Sequence, residues 1–257
     1  MKKHTIYYPL TDDEVIIINN KKKRLTDSVA QLLGRRIVVN EIATDFLLPK
    51  ENELCDMFGV SRTVLREAVK ILADKGLIRT RQKSGTFVNP MCTWNLFDEW
   101  VLRWMFERRL DFKFIEDLIE LRLFIETAVV KLSALRADES DIIAIESAYI
   151  ELSEAKNFEE HISADVNFHM AIFQSCKNEM FLQFKTVIQV ILENSFYNQQ
   201  KVMSDVELKR SLELHRKLKN SIKEKQPDNA ETILRYLILI AKEELLLYLK
   251  QNNAASV

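Results

Sequence analysis

The sequence has few of the residues that interrupt helices, and those few are unevenly placed. It contains four glycines and four prolines among 257 residues. The last glycine is Gly85, and Pro227 is the only proline after Pro90. Because glycine and proline disfavour a helix interior, the chain after Pro90 is predicted to be an antiparallel bundle of six or seven helices. The predicted helices lie near 96–107, 111–136, 139–155, 158–175, 179–200, 205–225 and 228–250.

Cysteine and long apolar runs are also scarce. The cysteines are Cys55, Cys92 and Cys176. Their odd number and wide spacing exclude a disulfide framework and a thiolate zinc site, and they suit a reducing compartment. The first residues do not form a secretory signal, because Pro9 and Asp12 interrupt the apolar run. The apolar run at 236–241 is too short to cross a bilayer. A cytoplasmic protein without a membrane segment is therefore predicted.

The net charge of −1 conceals an asymmetry between the two parts of the chain. Residues 1–90 carry 16 basic and 11 acidic side chains, whereas residues 91–257 carry 21 basic and 27 acidic ones. A basic front part suits contact with phosphates, where each neutralised phosphate releases counterions. Nucleic acid is therefore a candidate partner of the front part.

The front part contains two helix patterns joined by a short turn. The amphipathic segment Glu51–Phe58 is followed by Gly59, and Ser61 is a favourable N-cap for a second helix near 62–75. Two short strands around a polar turn are then predicted within Leu77–Val88. Two helices, a tight turn and a hairpin in this order predict a winged helix-turn-helix.

The second of these helices has two chemically different faces at 100° per residue. Its apolar face consists of Leu65, Ala68, Val69 and Leu72. Its polar face consists of Arg62, Thr63, Arg66 and Lys70. An ordinary solvated helix with a basic outer face is the alternative for one helix alone, but the N-cap, the turn and the wing together favour DNA binding.

The motifs of this region resemble the DNA-binding domain of the GntR family of bacterial transcription regulators. The resemblance covers Leu48–Val88 and rests on L-P-x-E-x-E-L, F-G-V-S-R-T-x-L-R-E-A, L-x-x-x-G-L-I and G-T-F-V. Asn52 departs from the family, which usually has arginine there, so one phosphate or base contact is in doubt. The predicted DNA-binding residues are Ser61, Arg62, Thr63, Arg66, Lys83, Ser84 and Gly85.

A further helix is predicted from Lys21, with Gly34 as its C-cap, and in a GntR-like domain it packs under the helix-turn-helix. The basic residues at its start contact phosphates or are simply solvated. The predicted organisation is an extension at 1–20 whose first dozen residues are expected to be poorly ordered, the DNA-binding domain at 21–90, a connector at 91–110 and a helical effector-binding and dimerisation domain at 111–252.

Polar residues on the bundle helices are candidates for a ligand site. Asp165 and His169 are four residues apart, so they project from the same helix face and can chelate one metal ion. His215, on a later helix, can supply a third ligand. Alternatively, the pair is a hydrogen-bonded or surface pair. His161 lies one turn before Asp165 and is interpreted as solvated.

The segments N-F-H-M-A-I-F-Q-S-C-K-N-E and L-H-R-K-L-K-N-S-I resemble the effector domain of the FadR-type branch of GntR regulators. This resemblance implies a divalent metal, such as zinc, held by one Asp and three His. Asp165, His169 and His215 match three of these ligands, but Leu237 stands where the fourth histidine is expected. The site therefore has three protein ligands and open positions, or is lost.

Arg122 matches an arginine of the same branch that faces the effector. A buried guanidinium can bind a carboxylate bidentately, although Arg122 can instead pair with Glu126 or Asp117. The connector segment Trp94–Trp104 resembles that of galactonate-operon repressors, which implies a sugar acid as effector. Trp94 and Trp104 are expected between the two domains.

The combined hypothesis is a homodimeric transcription regulator, a repressor, whose two recognition helices bind a two-fold symmetric DNA operator. A small carboxylate bound in the helical domain controls DNA binding. Two alternatives remain open. The first is a metal-dependent enzyme that uses the Asp/His/His site, and the second is a constitutive DNA-binding protein whose bundle serves only dimerisation.

Overall fold

The computed structural model describes Thr11 and residues 24–108, 112–199 and 205–254. The chain divides into two compact units, Met1–Arg109 and Leu110–Val257. Apart from Thr11, the extension predicted at 1–20 lies outside the described residues. The same holds for the basic residues before Arg24 and for the end of the predicted connector.

Three helices form the first unit's helical layer: α1 (Leu25–Val38), α2 (Glu51–Phe58) and α3 (Arg62–Asp74). Helix α2 ends at Gly59, whose φ of 63° lies in the left-handed region that favours glycine. Ser61 then caps α3, because its side chain accepts a hydrogen bond from the backbone N–H of Val64 at 3.4 Å. The helix-turn-helix is therefore formed by the residues that the sequence predicted for it.

The wing is the antiparallel pair β1 (Ile78–Arg81) and β2 (Gly85–Val88). Its register pairs Ile78 with Val88 and Arg81 with Gly85. Ile78 and Val88 are buried at one end, whereas the opposite end and the turn are exposed. The strand residues that anchor the wing in the core thus lie farthest from its exposed tip.

The prediction that Gly34 ends the first helix is wrong. Helix α1 continues to Val38, and Gly34 is buried within it. A Cβ at Gly34 would lie 2.6 Å from the Trp104 ring, so glycine is required by the close approach of that side chain. Trp104 belongs to α4 (Glu99–Glu107). The indole N–H of Trp94 donates to the carbonyl of Asn89, so the described contacts of both tryptophans are made within the first unit.

All regular secondary structure in the described residues of the second unit is helical. Its helices are α5 (Phe112–Arg136), α6 (Glu139–Glu154), α7 (Phe158–Ser175), α8 (Glu179–Leu182), α9 (Lys185–Gln199), α10 (Asp205–Lys223) and α11 (Pro227–Ala254). The helix predicted at 179–200 is interrupted between Leu182 and Lys185, and the other predicted helices are present with small shifts of their ends. The predicted fold class, a winged helix-turn-helix followed by a helical bundle, is confirmed.

The helical unit packs around α7, which carries the two largest fully buried side chains among the described residues, Phe168 and Phe173. Polar side chains on the same helix are buried with them, which fixes the position of the candidate ligand site inside the bundle. Within the described residues, no helix combines the length and apolar character that crossing a bilayer requires.

Candidate DNA-binding surface and metal centre

The polar face of α3 is exposed, as its predicted role requires. The side chains of Arg62 and Arg66 are 65% and 69% exposed, and Thr63 is also exposed. The structure adds a residue that the sequence reasoning did not single out. The Glu51 carboxylate lies 3.1 Å from Arg66 Nε and 4.0 Å from Arg62 Nε, so one acidic group faces both arginines.

The predicted wing contacts are exposed too. Lys83, Ser84 and Gly85 form the turn and the start of β2, at the tip of the hairpin. An exposed hairpin tip with a lysine can approach a DNA backbone, since phosphate contacts need charge and access more than rigid geometry. The first unit therefore presents two separate basic features, the face of α3 and the wing tip.

The second unit brings Asp165, His169 and His215 together. Helix α7 supplies Asp165 and His169 one turn apart, and α10 supplies His215. One ligand atom from each lies within 4.8 Å of the other two. His215 Nε2 is 3.1 Å from Asp165 Oδ1, and His169 Nε2 is 3.8 Å from Asp165 Oδ2. The three residues are between 1% and 5% exposed.

Polar contacts on the far side of each ring decide which nitrogen of these imidazoles carries a proton. His215 Nδ1 lies 2.8 Å from the backbone carbonyl of Ser211, which can only accept, so Nδ1 carries a proton. His169 Nδ1 lies 3.2 Å from a carboxylate oxygen of Glu126, which favours the same tautomer. In the neutral form, both rings therefore present the lone pair of Nε2 towards Asp165.

Two imidazole lone pairs and a carboxylate form a set of acceptors that suits a cation. Among the described residues, neither Asp165 Oδ2 nor His215 Nε2 has a partner in hydrogen-bonding geometry. Buried acceptors without donors are costly, so a proton or a metal ion must lie between them. Nitrogen and oxygen ligands with Nδ1 held by an outer carboxylate or carbonyl are typical of zinc and similar divalent ions. The residues thus fit a divalent metal with open coordination positions.

The electrostatics of the cluster favour the charged forms of Asp165 and His169. Burial alone would raise the pKa of Asp165, but His215 and the charges of His169 and His161 lower it to about 2. Burial would lower the pKa of His169, but Glu126 and Asp165 outweigh this effect and raise it above 6.5. The interpretation of His161 as solvated is wrong, because His161 is buried, 6% exposed, on the same stripe of α7.

Stabilisation by a divalent ion is expected to increase as the pH rises from about 6.5, the ordinary pKa of histidine, through the raised pKa of His169. A metal binds neutral imidazole and releases the His169 proton, so its affinity rises through the raised pKa of His169. In the chelated protein the sign is opposite. Protonated His169 contributes stability fully below its unfolded-state pKa, and this contribution is lost as the pH rises through the folded-state pKa. Thermal unfolding across this range measures the difference in unfolding temperature between zinc-loaded and chelated protein. A difference that does not change with pH would contradict the prediction.

Arg122 and Glu126 form a buried pair beside the cluster. Arg122 Nε lies 2.5 Å from Glu126 Oε1, and the two side chains are 4% and 1% exposed. The pairing with Glu126 that the sequence left open is therefore present. Only Nε is taken by Glu126, and a guanidinium has four further N–H donors on its two Nη groups. The pair does not preclude a ligand carboxylate at those groups.

A winged helix-turn-helix unit joined to a helical unit with a buried ligand-type cluster defines a DNA-binding regulator with a sensor domain. The chain belongs to the GntR family of bacterial regulatory proteins. Residues 25–88 match the family model "Bacterial regulatory proteins, gntR family", and residues 117–239 match the FCD domain. The family consists of transcription regulators, so the alternative of a metal-dependent enzyme is set aside.

Known relatives cover most of the chain. The galactonate operon transcriptional repressor of Escherichia coli K12 is 32% identical over 207 residues, which span 80% of this chain and 90% of that protein. The HTH-type transcriptional regulator YieP of the same organism is 29% identical over 212 residues, which span 81% of this chain and 90% of that protein. The solved structure of Lar from Listeria monocytogenes has a TM-score of 0.59 at 19% identity and covers 88% of this chain and 99% of that one. That structure supports the fold.

Three residues near the cluster were not assigned a role by the sequence analysis. Glu126 was considered only as a partner of Arg122, and the backbone carbonyl of Ser211 carries no sequence signal. For His161 the signal existed, since it is four residues before Asp165 on one helix face. Nearness to the helix start does not imply exposure here, because the face of α7 that carries His161 is buried from that residue onward.

Proposed function

We propose that the protein is a homodimeric transcriptional repressor whose operator binding is controlled by a small carboxylate, a sugar acid, bound in the helical unit. The buried cluster of Asp165, His169 and His215, linked to Arg122 through Glu126, is the main support. It offers a site for a divalent ion and a guanidinium for an acid group in one sensor domain. The relative that represses the galactonate operon supports both the repressor role and the class of effector.

The recognition helix would enter the major groove and contact base edges through Arg62, Thr63 and Arg66. Arginine pairs bidentately with guanine, so guanine at these positions is expected. The wing tip at Lys83–Gly85 would contact the neighbouring backbone or minor groove. Asn52, where the family usually has arginine, would leave α2 with a weaker contact of its own.

The effector would bind with its carboxylate on the Nη groups of Arg122 and its hydroxyl oxygens on the ion. A divalent ion, when bound, would supply the positive charge that orients those oxygens. Asp165, His169 and His215 would hold it and leave coordination positions for them. DNA binding changes only if the effector has different affinities for two conformations of the protein.

A two-fold symmetric operator requires two copies of the chain, and the helical unit is proposed to join them. Helix α5 carries an apolar face with Phe124, 78% exposed, and Leu135, 59% exposed. A second copy would remove that surface from water. The proposed compartment is the cytoplasm, where the operator is. Light scattering of the protein with its operator should give two 30.1 kDa chains per duplex.

Thermal unfolding against a panel of acids tests the proposed function. The panel contains galactonate, gluconate, glycolate and lactate, with galactose as the uncharged control, and each is measured with zinc and with a chelator. A ligand at a hundred times its dissociation constant stabilises the protein by about 2.7 kcal/mol, which is a readily measured shift. We expect one sugar acid to stabilise the zinc-loaded protein and galactose to have no effect.

The same ligand must also change DNA binding. Operator duplexes selected from a random-sequence pool with purified protein provide the DNA. The stabilising acid is expected to lower affinity for the selected duplex, whereas galactose leaves it unchanged. Stabilisation that survives chelation would remove the metal from the proposal. Unchanged DNA affinity with every acid that stabilises would favour a constitutive DNA-binding protein with a dimerisation-only bundle.

A further inference from the structure

One buried carboxylate lies between the two parts of the proposed sensor site. Glu126 is 1% exposed, and its two oxygens face different partners. Oε1 lies 2.5 Å from Arg122 Nε, and Oε2 lies 3.2 Å from His169 Nδ1. A second carboxylate, Asp165, lies near His169 on the metal side of its ring.

Burial of this carboxylate is explained by its two partners. An unpaired buried carboxylate is strongly unfavourable, whereas Glu126 has a guanidinium hydrogen-bonded to Oε1 and an imidazole within ion-pair distance of Oε2. The two partners have different tasks under the proposed function. Arg122 would bind the acid group of the effector, and His169 would bind the metal. Glu126 touches neither ligand, but it contacts the residue that binds each of them.

We propose that Glu126 is a positioning residue that couples effector binding to metal binding. It holds Arg122 by Nε, so that the Nη groups are presented to the effector. It also fixes His169 in the tautomer whose Nε2 can bind the metal. This inference rests on the proposed function, because it presupposes an effector carboxylate on Arg122. Ordering of either partner by its ligand orders Glu126 and hence the other partner, so each ligand raises the affinity of the other by the same factor.

The variant Glu126→Gln separates the two contacts. A carboxylate accepts hydrogen bonds at both oxygens, whereas an amide has one oxygen and one NH2 group. If the amide oxygen faces Arg122, the NH2 group faces His169 Nδ1 and favours the tautomer that cannot bind metal through Nε2. If the amide oxygen faces His169, the NH2 group opposes the guanidinium. Glutamine can therefore satisfy one partner only, although its size is nearly that of glutamate.

The test measures zinc affinity by competition with a chromophoric chelator, and galactonate affinity by calorimetry with and without zinc, on the full-length protein. Glu120→Gln, which removes the same charge from an exposed position of α5, is the matched control. We expect Glu126→Gln to bind zinc about 10- to 100-fold more weakly than the control, the usual effect of losing an outer partner of a metal-binding histidine. We also expect zinc to stop improving galactonate affinity.

Arg122→Gln provides a second variant if Glu126→Gln does not fold, as judged by circular dichroism. It leaves the metal ligands intact, yet we expect weaker zinc binding because Glu126 loses the partner that positions it. If both variants bind zinc within twofold of the control, the inference is overturned. The proposed function still stands in that case, provided that the wild-type protein binds zinc and galactonate. Wild-type protein that binds neither zinc nor any acid of the panel would overturn both.

Discussion

Alanine at both Arg62 and Arg66 is expected to weaken operator binding about 100- to 1000-fold. Each arginine is predicted to contact a base edge, and loss of such a contact costs about 1–3 kcal/mol. Both side chains are exposed on one face of α3, so their removal leaves the apolar face that holds the helix in place. Fluorescence anisotropy with a selected operator duplex, over a range of salt concentrations, measures the loss.

Arg235→Ala is the matched control, since Arg235 is also exposed on a helix but lies in the helical unit. It should bind the operator like the wild type. The single variants distinguish the kind of contact: loss of a base contact relaxes sequence preference, whereas loss of a phosphate contact lowers the salt slope by about one. A double variant with unchanged affinity and unchanged salt slope would refute the assignment of α3 as the recognition helix.

Asparagine at Asp165 is expected to abolish the zinc-dependent stabilisation of the protein. Asp165 is the single negative charge among the three proposed ligands, and both histidine Nε2 atoms face it. Removing a direct ligand should reduce affinity by more than the roughly 10- to 100-fold loss caused by an outer partner. In thermal unfolding, zinc and chelator should therefore give the same transition for this variant, although they differ for the wild type.

The metal-free form of the same variant should also be less stable, because buried protonated His169 loses one of its two compensating carboxylates. Removing one partner of a buried ion pair typically costs about 3–5 kcal/mol. Asp117→Asn, at an exposed position of α5, is the control and should leave both properties unchanged. A normal zinc response in Asp165→Asn would exclude Asp165 as a ligand.

The helix-turn-helix could be predicted in detail because its signals are local. The cap at Ser61, the left-handed residue Gly59 and the apolar spacing of α3 act within a few residues, and local sequence determines them. Gly34 shows where such reasoning fails. A glycine near the end of a helical pattern suggests a C-cap, but its role here is set by Trp104, seventy residues further along the chain.

The candidate metal centre was predicted only in part for the same reason. Asp165 and His169 share a helix face at a spacing of four, which sequence reveals directly. That His215 joins them depends on how α10 packs against its neighbours in the bundle. The burial of His161 likewise depends on the elements around α7, so helix position alone gave the wrong answer.

Local sequence patterns predict the order of the elements, the basic face of α3, the helical nature of the second unit and the three candidate ligands. These follow from periodicity, capping and the scarcity of glycine and proline, all of which act over one or two helical turns. The convergence of the three acceptors and the contact that orients the His169 ring depend on tertiary structure. Glu126 and His169 lie on different helices, and contacts between helices arise from packing that no local pattern encodes.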